Sequence, residues 1–166
     1  MTAFLWIMTF VVTERAVELA LAHYNTKKLL AAGGHEVGVK HYPLLVILHA
    51  SWIGVLIVFV PWSTQPSWAL IGIFGFLQIL RIWVISSLGR FWTTRIITLE
   101  NAPLQKKGPY RLCKHPNYCI VAGEIAILPL AFGAWPIALI WSAFNALLLG
   151  HRIKIENAAL LTRADK

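Results

Sequence analysis

The chain has 166 residues, 58% of them hydrophobic and 13% charged, where soluble domains carry about 25% charged residues. A disordered chain is excluded and an ordinary water-soluble globule is disfavoured. The formal net charge of +8 would point to nucleic acid in a soluble domain, but here the cations sit in the connections between apolar runs, so no nucleic-acid partner is expected.

The apolar runs predict an all-α integral membrane protein. A helix needs about 20 residues to cross the hydrocarbon, within a range of roughly 17–25. Spans are expected over residues 2–22, 43–60 and 67–88. A polar stretch follows, and then an apolar region broken by Gly133-Ala134-Trp135-Pro136, a turn signal. That region reads as a helical hairpin with arms over 119–132 and 136–150, the second continuing as helix to about residue 161. The N-terminal run lacks a preceding basic residue and is interrupted by Glu14 and Arg15. It reads as a retained helix rather than a cleaved signal. With five spans, thirteen of the 15 Lys and Arg residues fall on one side. The positive-inside rule makes that side cytoplasmic and places the N-terminus outside. The whole chain is expected to be one membrane domain in a bacterial cytoplasmic membrane, with membrane lipids as partners.

Ionisable residues inside spans cost several kcal/mol and usually face a bundle interior or a wet cavity. At about 1.5 Å of rise per residue, Glu14, Arg15 and Glu18 of the first span share one depth with Gln78 and Arg81 of the third. Glu124 and Asn145 of the hairpin lie at similar depth. Internal pairing of Arg15 with Glu18, or Arg81 with Glu124, is one reading. A polar cavity opening to the cytoplasm beneath apolar walls is the other.

The cytoplasmic stretch carries Gly89-Arg-Phe-Trp-Thr-Thr-Arg95 and then Lys107-Gly-Pro-Tyr-Arg-Leu-Cys-Lys-His-Pro-Asn-Tyr118. Aromatic rings beside turn amides and cations can hold a flat, partly anionic ligand. They can also form a collar on anionic lipid headgroups. Cys113 and Cys119 lack the spacing of a zinc site or a disulfide framework and read as structural thiols. No metal is expected. On the return helix Asn145, Leu149, Arg152 and Glu156 form one stripe. Arg152 and Glu156 also have the spacing of a plain i, i+4 ion pair, worth only a few tenths of a kcal/mol.

The run Gly108–Tyr118, followed by an apolar hairpin and Arg152-Ile-Lys-Ile-Glu156, resembles the isoprenylcysteine carboxyl methyltransferase family, with the catalytic region over about 88–161. These are integral membrane enzymes that use S-adenosylmethionine. The small size, Gly89–Arg95 and the early Glu14-Arg-Ala-Val-Glu18 look like the bacterial branch associated with type III polyketide synthases, which methylates alkylpyrones. The resemblance implies cofactor contacts from Leu104, Gln105, Tyr110, His115, Pro116, Asn117, Tyr118 and Glu156. It implies Arg152 as the catalytic, acceptor-holding arginine, and Arg81, Glu14, Trp92 and Asn145 are further candidates for substrate contact. Lys114 stands where the family usually has arginine, and Asn157 where it usually has a second glutamate.

The chemistry fits these residue types. A glutamate can accept from an ammonium or hydroxyl, histidine and loop amides can bind a carboxylate, and tyrosines can pack on adenine. The expected acceptor is a lipophilic or prenylated anion, a carboxylate or a hydroxypyrone, which needs an arginine rather than a strong base. No G-x-G-x-x-G is present, so a Rossmann-type methyltransferase is not supported. The competing readings are a phospholipid N-methyltransferase, an NADPH-dependent lipid reductase and a non-enzymatic lipid-binding membrane protein.

Overall fold

The computed structural model describes residues 2–99 and 107–164. Helix α1 spans Ala3–Ala31 and strand β1 spans His35–Val37. Helix α2 spans Tyr42–Phe59, α3 Trp68–Leu88, strand β2 Ile96–Thr98, α4 Pro116–Ala131 and α5 Trp135–Ala164. Short 3-10 turns lie at Val39–His41, Gly89–Phe91 and Gly108–Arg111.

The helix ends follow from local chemistry. Thr2 Oγ1 accepts from the Leu5 N–H at 3.4 Å, capping α1. Prolines stand in the first turns of α2 and α4, where a missing N–H costs nothing. Gly133, at φ +72°, turns the chain between α4 and α5. Two helices outrun their expected spans: α1 passes residue 22 to reach Ala31, and α5 runs for 30 residues. That length carries both the apolar arm and the Arg152–Glu156 stripe on one rod.

In a bilayer every backbone polar group must be satisfied within the protein, and helices do this without neighbours. Three described helical segments are long and apolar enough to cross one: Tyr42–Phe59, Trp68–Phe91 and Trp135–Ala159. The 16 residues of α4 are also apolar but shorter. Helix α1 is long enough but carries Glu14, Arg15 and Glu18. Large apolar side chains such as Trp6, Ile47, Val58, Ile79, Leu139 and Leu147 point outward, as expected where lipid is the solvent. The protein is an all-α membrane protein, with five α-helices among the described residues.

Helix α4 packs between α3 and α5, and α2 lies on α5. One core joins Phe4, Met8 and Val11 of α1 to Trp52 and Leu56 of α2 and to Ile125 and Leu128 of α4. Phe4 meets Phe132 edge to face, with centroids 5.0 Å apart. This core closes one end of the bundle and leaves the other end to the site.

At that other end, strands β1 and β2 pair antiparallel, with His35 opposite Thr98 and Val37 opposite Ile96. The sequence reading contained no strands. Three residues each are too short for a period-2 pattern to register. The ribbon ties the α1–α2 connection to the long polar stretch between α3 and α4.

Candidate active site

A cavity of about 740 Å³ opens among the helix ends under the ribbon. Its wall includes Tyr110, His115, Pro116, Asn117, Tyr118 and Glu156 at one end, and Arg15, Glu18 and Arg81 at the other. Trp92 and Arg152 also line it. The fold therefore gathers most of the residues singled out from the sequence around one space. Glu14 and Asn145 do not line it. Glu14 instead turns to Arg15, its carboxylate 3.2 Å from Nη2. Asn145 is enclosed by helix packing at 1% exposure. A shared depth did not mean a shared facing, because depth follows from sequence position and facing from how each helix is rotated. Leu104 and Gln105 lie outside the described residues.

The mouth of the cavity is built by three elements. Gly108 holds φ +56° in a turn pressed against α3, where a Cβ would come within 2.2 Å of Ser87 Oγ. Only glycine fits both the backbone and the space. This turn sets Tyr110 into the wall. Burial, and then the nearby Glu156 carboxylate, push the Tyr110 phenol well above its usual range, so it stays neutral. His115 and Pro116 begin α4, placing Asn117 and Tyr118 in its first turn. Pro116 has no N–H and the Tyr118 N–H donates to the His115 carbonyl at 3.1 Å, which leaves the Asn117 N–H at the positive end of the helix dipole. Helix α5 then brings Arg152 and Glu156 against α4.

Arg152 and Glu156 are not ion-paired. The Tyr118 hydroxyl stands between them, accepting from Arg152 Nε at 2.8 Å and donating to Glu156 Oε2. Arg152 Nη2 donates to the Thr94 carbonyl at 2.8 Å. Thr94 in turn meets the Tyr42 hydroxyl at 3.2 Å, and the Arg95 guanidinium lies over the Tyr42 ring while bonding Glu36 at 2.8 Å. Sequence reasoning missed Thr94 and Tyr42. Thr94 acts through its carbonyl, which leaves no side-chain signature. Asn25 was missed as well: its amide donates to the carbonyls of Gly89 and Trp92, at 3.2 and 2.9 Å, which fixes the turn carrying Trp92.

His115 stacks on Tyr118, with centroids 5.3 Å apart and planes at 13°. Its Nε2 meets Asn157 Oδ1 at 3.1 Å. Asn117 Oδ1 is buried in the wall with no partner among the described residues. Cys113 and Cys119 are free thiols with sulfurs 3.9 Å apart.

The deep end holds a charged cluster. Arg81 bonds Glu124 through Nε at 2.9 Å and also through Nη2. Its Nη1 reaches Glu18 Oε2 at 3.1 Å. Arg15 bonds Glu18 at 2.9 Å and Glu124 at 3.2 Å, and Gln78 donates to Glu124 at 2.9 Å. Both pairings foreseen in the sequence occur, and they are linked in one network across α1, α3 and α4.

The sequence profile of the isoprenylcysteine carboxyl methyltransferase (ICMT) family matches residues 70–162. The chain is 38% identical over 160 residues to the uncharacterized protein YpbQ of Bacillus subtilis (strain 168), covering 93% of this chain and 95% of that one. It is 26% identical over 151 residues to an uncharacterized protein of Haemophilus influenzae, covering 88% of each. No solved structure matches it. The family match takes in α3, the mouth of the cavity and the α4–α5 hairpin, which supply the Tyr118–Arg152–Glu156 chain. This protein belongs to the isoprenylcysteine carboxyl methyltransferase family of membrane methyltransferases.

Proposed function

We propose that the protein is an S-adenosylmethionine-dependent O-methyltransferase for a lipophilic anionic acceptor, an isoprenylcysteine-type carboxylate or an alkylpyrone hydroxyl. It works at the cytoplasmic face of a bacterial membrane that all five helices cross, with the N-terminus outside. The observation that carries this reading is the hydrogen-bonded chain from Arg152 through Tyr118 to Glu156 on the wall of one cavity.

The wall fits the cofactor's groups. Glu156 spends Oε2 on Tyr118 and keeps Oε1 for an ammonium or a ribose hydroxyl. Asn117 Oδ1 is an acceptor without a partner among the described residues, and an orphaned buried acceptor is costly unless a ligand satisfies it. The neutral Tyr110 phenol and the Tyr118 ring offer aromatic surfaces. The Asn117 N–H in the first turn of α4 offers a donor to a carboxylate, and Leu104 and Gln105 belong to the same proposed contact set. When bound, the cofactor supplies an electrophilic methyl group on a sulfonium.

Arg152 does the acceptor's share of the work. Its Nε and Nη2 are held by Tyr118 and Thr94, which leaves Nη1 to receive an oxyanion. A carboxylate or hydroxypyrone is already ionised at neutral pH, so no residue need remove a proton during transfer. The guanidinium keeps the acceptor ionised and positioned, and the apolar wall around Leu45, Val46 and Ile53 excludes water and accommodates a hydrocarbon tail. Positioning of two reactants in a dry site is a sufficient source of acceleration for such a reaction. Trp92 and Arg81 border the acceptor's side of the cavity.

Calorimetric titration of detergent-purified protein tests the reading. S-adenosylhomocysteine should bind, and Glu156→Gln and His115→Ala should abolish or strongly weaken it. Binding of NADPH in its place would overturn the methyltransferase in favour of a reductase. Binding of neither would leave a lipid-binding protein.

A further inference from the structure

The surroundings of His115 determine more than its presence in the wall. Nε2 lies 3.1 Å from Asn157 Oδ1, while Nδ1 lies 3.7 Å from Glu156 Oε2. An amide oxygen only accepts, so with Asn157 turning Oδ1 toward the ring Nε2 carries the hydrogen. In the neutral ring Nδ1 then carries the lone pair. The second distance agrees with this. An N–H aimed at a carboxylate closes to about 2.8 Å, and Nδ1 stays well outside that range. Glu156 Oε2 takes its hydrogen from the Tyr118 hydroxyl instead. The wall thus presents two acceptors side by side, an imidazole lone pair and a carboxylate. An ammonium, with three donors and a positive charge, is the group that matches them.

We infer that Asn157 is a positioning residue that fixes His115 as the Nε2–H tautomer, and so makes His115 Nδ1 and Glu156 together a site for the cofactor's ammonium. The inference rests on the cofactor proposed above. Asn157 touches neither cofactor nor acceptor. It acts through His115, whose ring is also held flat by stacking on Tyr118 at 5.3 Å. With no acceptor at position 157, the hydrogen is free to move to Nδ1, where it bonds Glu156 and opposes an ammonium.

Two measurements test it. In protein labelled with ¹⁵N-histidine at about pH 8, where imidazole is ordinarily neutral, the His115 signals are assigned by their loss in His115→Gln. They should show a protonated Nε2 and a bare Nδ1, and a hydrogen on Nδ1 overturns the inference. Separately, S-adenosylhomocysteine is compared with its analogue lacking the α-amino group. Wild type should prefer the amino compound, and Asn157→Leu should shrink that preference about tenfold, the worth of one charge-assisted hydrogen bond. A preference unchanged in Asn157→Leu overturns the inference, whatever happens to overall affinity. Failure of wild type to bind S-adenosylhomocysteine would overturn the ammonium site and the cofactor reading together, while the histidine signals would still report the tautomer.

Discussion

The two ends of the cavity are both polar regions inside an apolar bundle, but they are connected in different ways. At the deep end every charge faces an opposite charge: Arg81 lies between Glu18 and Glu124, and Arg15 between Glu14, Glu18 and Glu124. These bonds join α1, α3 and α4, so the cluster holds the bundle together. At the mouth, Arg152 and Glu156 face each other only through a tyrosine hydroxyl. Charges paired directly with one another hold helices, and charges that meet only through a neutral hydroxyl are available to a ligand. The same residue types serve opposite purposes according to whether they face each other directly.

The sharpest way to break this contrast is to unbalance the deep end. Arg81→Leu leaves Glu14, Glu18 and Glu124 to share the single cation of Arg15, and should cost about 3–5 kcal/mol of stability, read as a large drop in the unfolding midpoint in detergent. The pair Arg81→Leu with Glu124→Leu should recover much of that loss. An unperturbed single variant would mean that the cluster is not what fastens the helices.

At the mouth the effects should fall on binding and leave folding alone. Glu156→Gln should weaken S-adenosylhomocysteine by about 10- to 100-fold, the range for a hydrogen bond to a charged group, with the unfolding midpoint unchanged. Arg152→Lys keeps the charge but loses the planar fork. It should slow acceptor methylation about tenfold, one such bond, while S-adenosylhomocysteine affinity stays near wild type. A parallel loss of cofactor affinity would show that the Tyr118 hydroxyl couples the two halves more tightly than the geometry implies.

The smallest expected effect concerns pH. His41 is buried, and its ring meets His151 edge to face at 6.0 Å. Burial, then the charges of Arg152 and His151, hold it below the ordinary histidine value of 6.5. A group depressed on folding contributes stability that is present above its unfolded value and lost as pH falls through the folded one. Wild type should therefore lose stability modestly below pH 6.5, and His41→Phe should lose less over the same range. Identical pH profiles would show that His41 is free to ionise in place.

Much of the site was legible in the sequence because its residues are close in the chain. His115, Pro116, Asn117 and Tyr118 fall in one turn, and Arg152 and Glu156 are one helical turn apart on α5. The equal depth of Arg15, Glu18, Arg81 and Glu124 followed from counting residues along spans. Three things were not legible. Glu14 joins the charged cluster and Asn145 is enclosed by packing, so neither lines the cavity, since rotation about a helix axis is set by its neighbours. Thr94 holds Arg152 through its carbonyl, which every residue has. Strands β1 and β2 are three residues each and exist only because the ribbon pairs segments 59 to 63 residues apart.

The sequence by itself determined that this chain is a helical membrane protein with a basic, aromatic stretch and a family motif. Hydrophobic run lengths, charge placement and local spacing are properties of the chain alone. Tertiary structure decided which ionisable residues face each other and which face the cavity. It put a tyrosine hydroxyl between Arg152 and Glu156, and it set Asn157 against His115. Those contacts depend on the rotation and tilt of packed helices to within an ångström or two, which linear order does not fix.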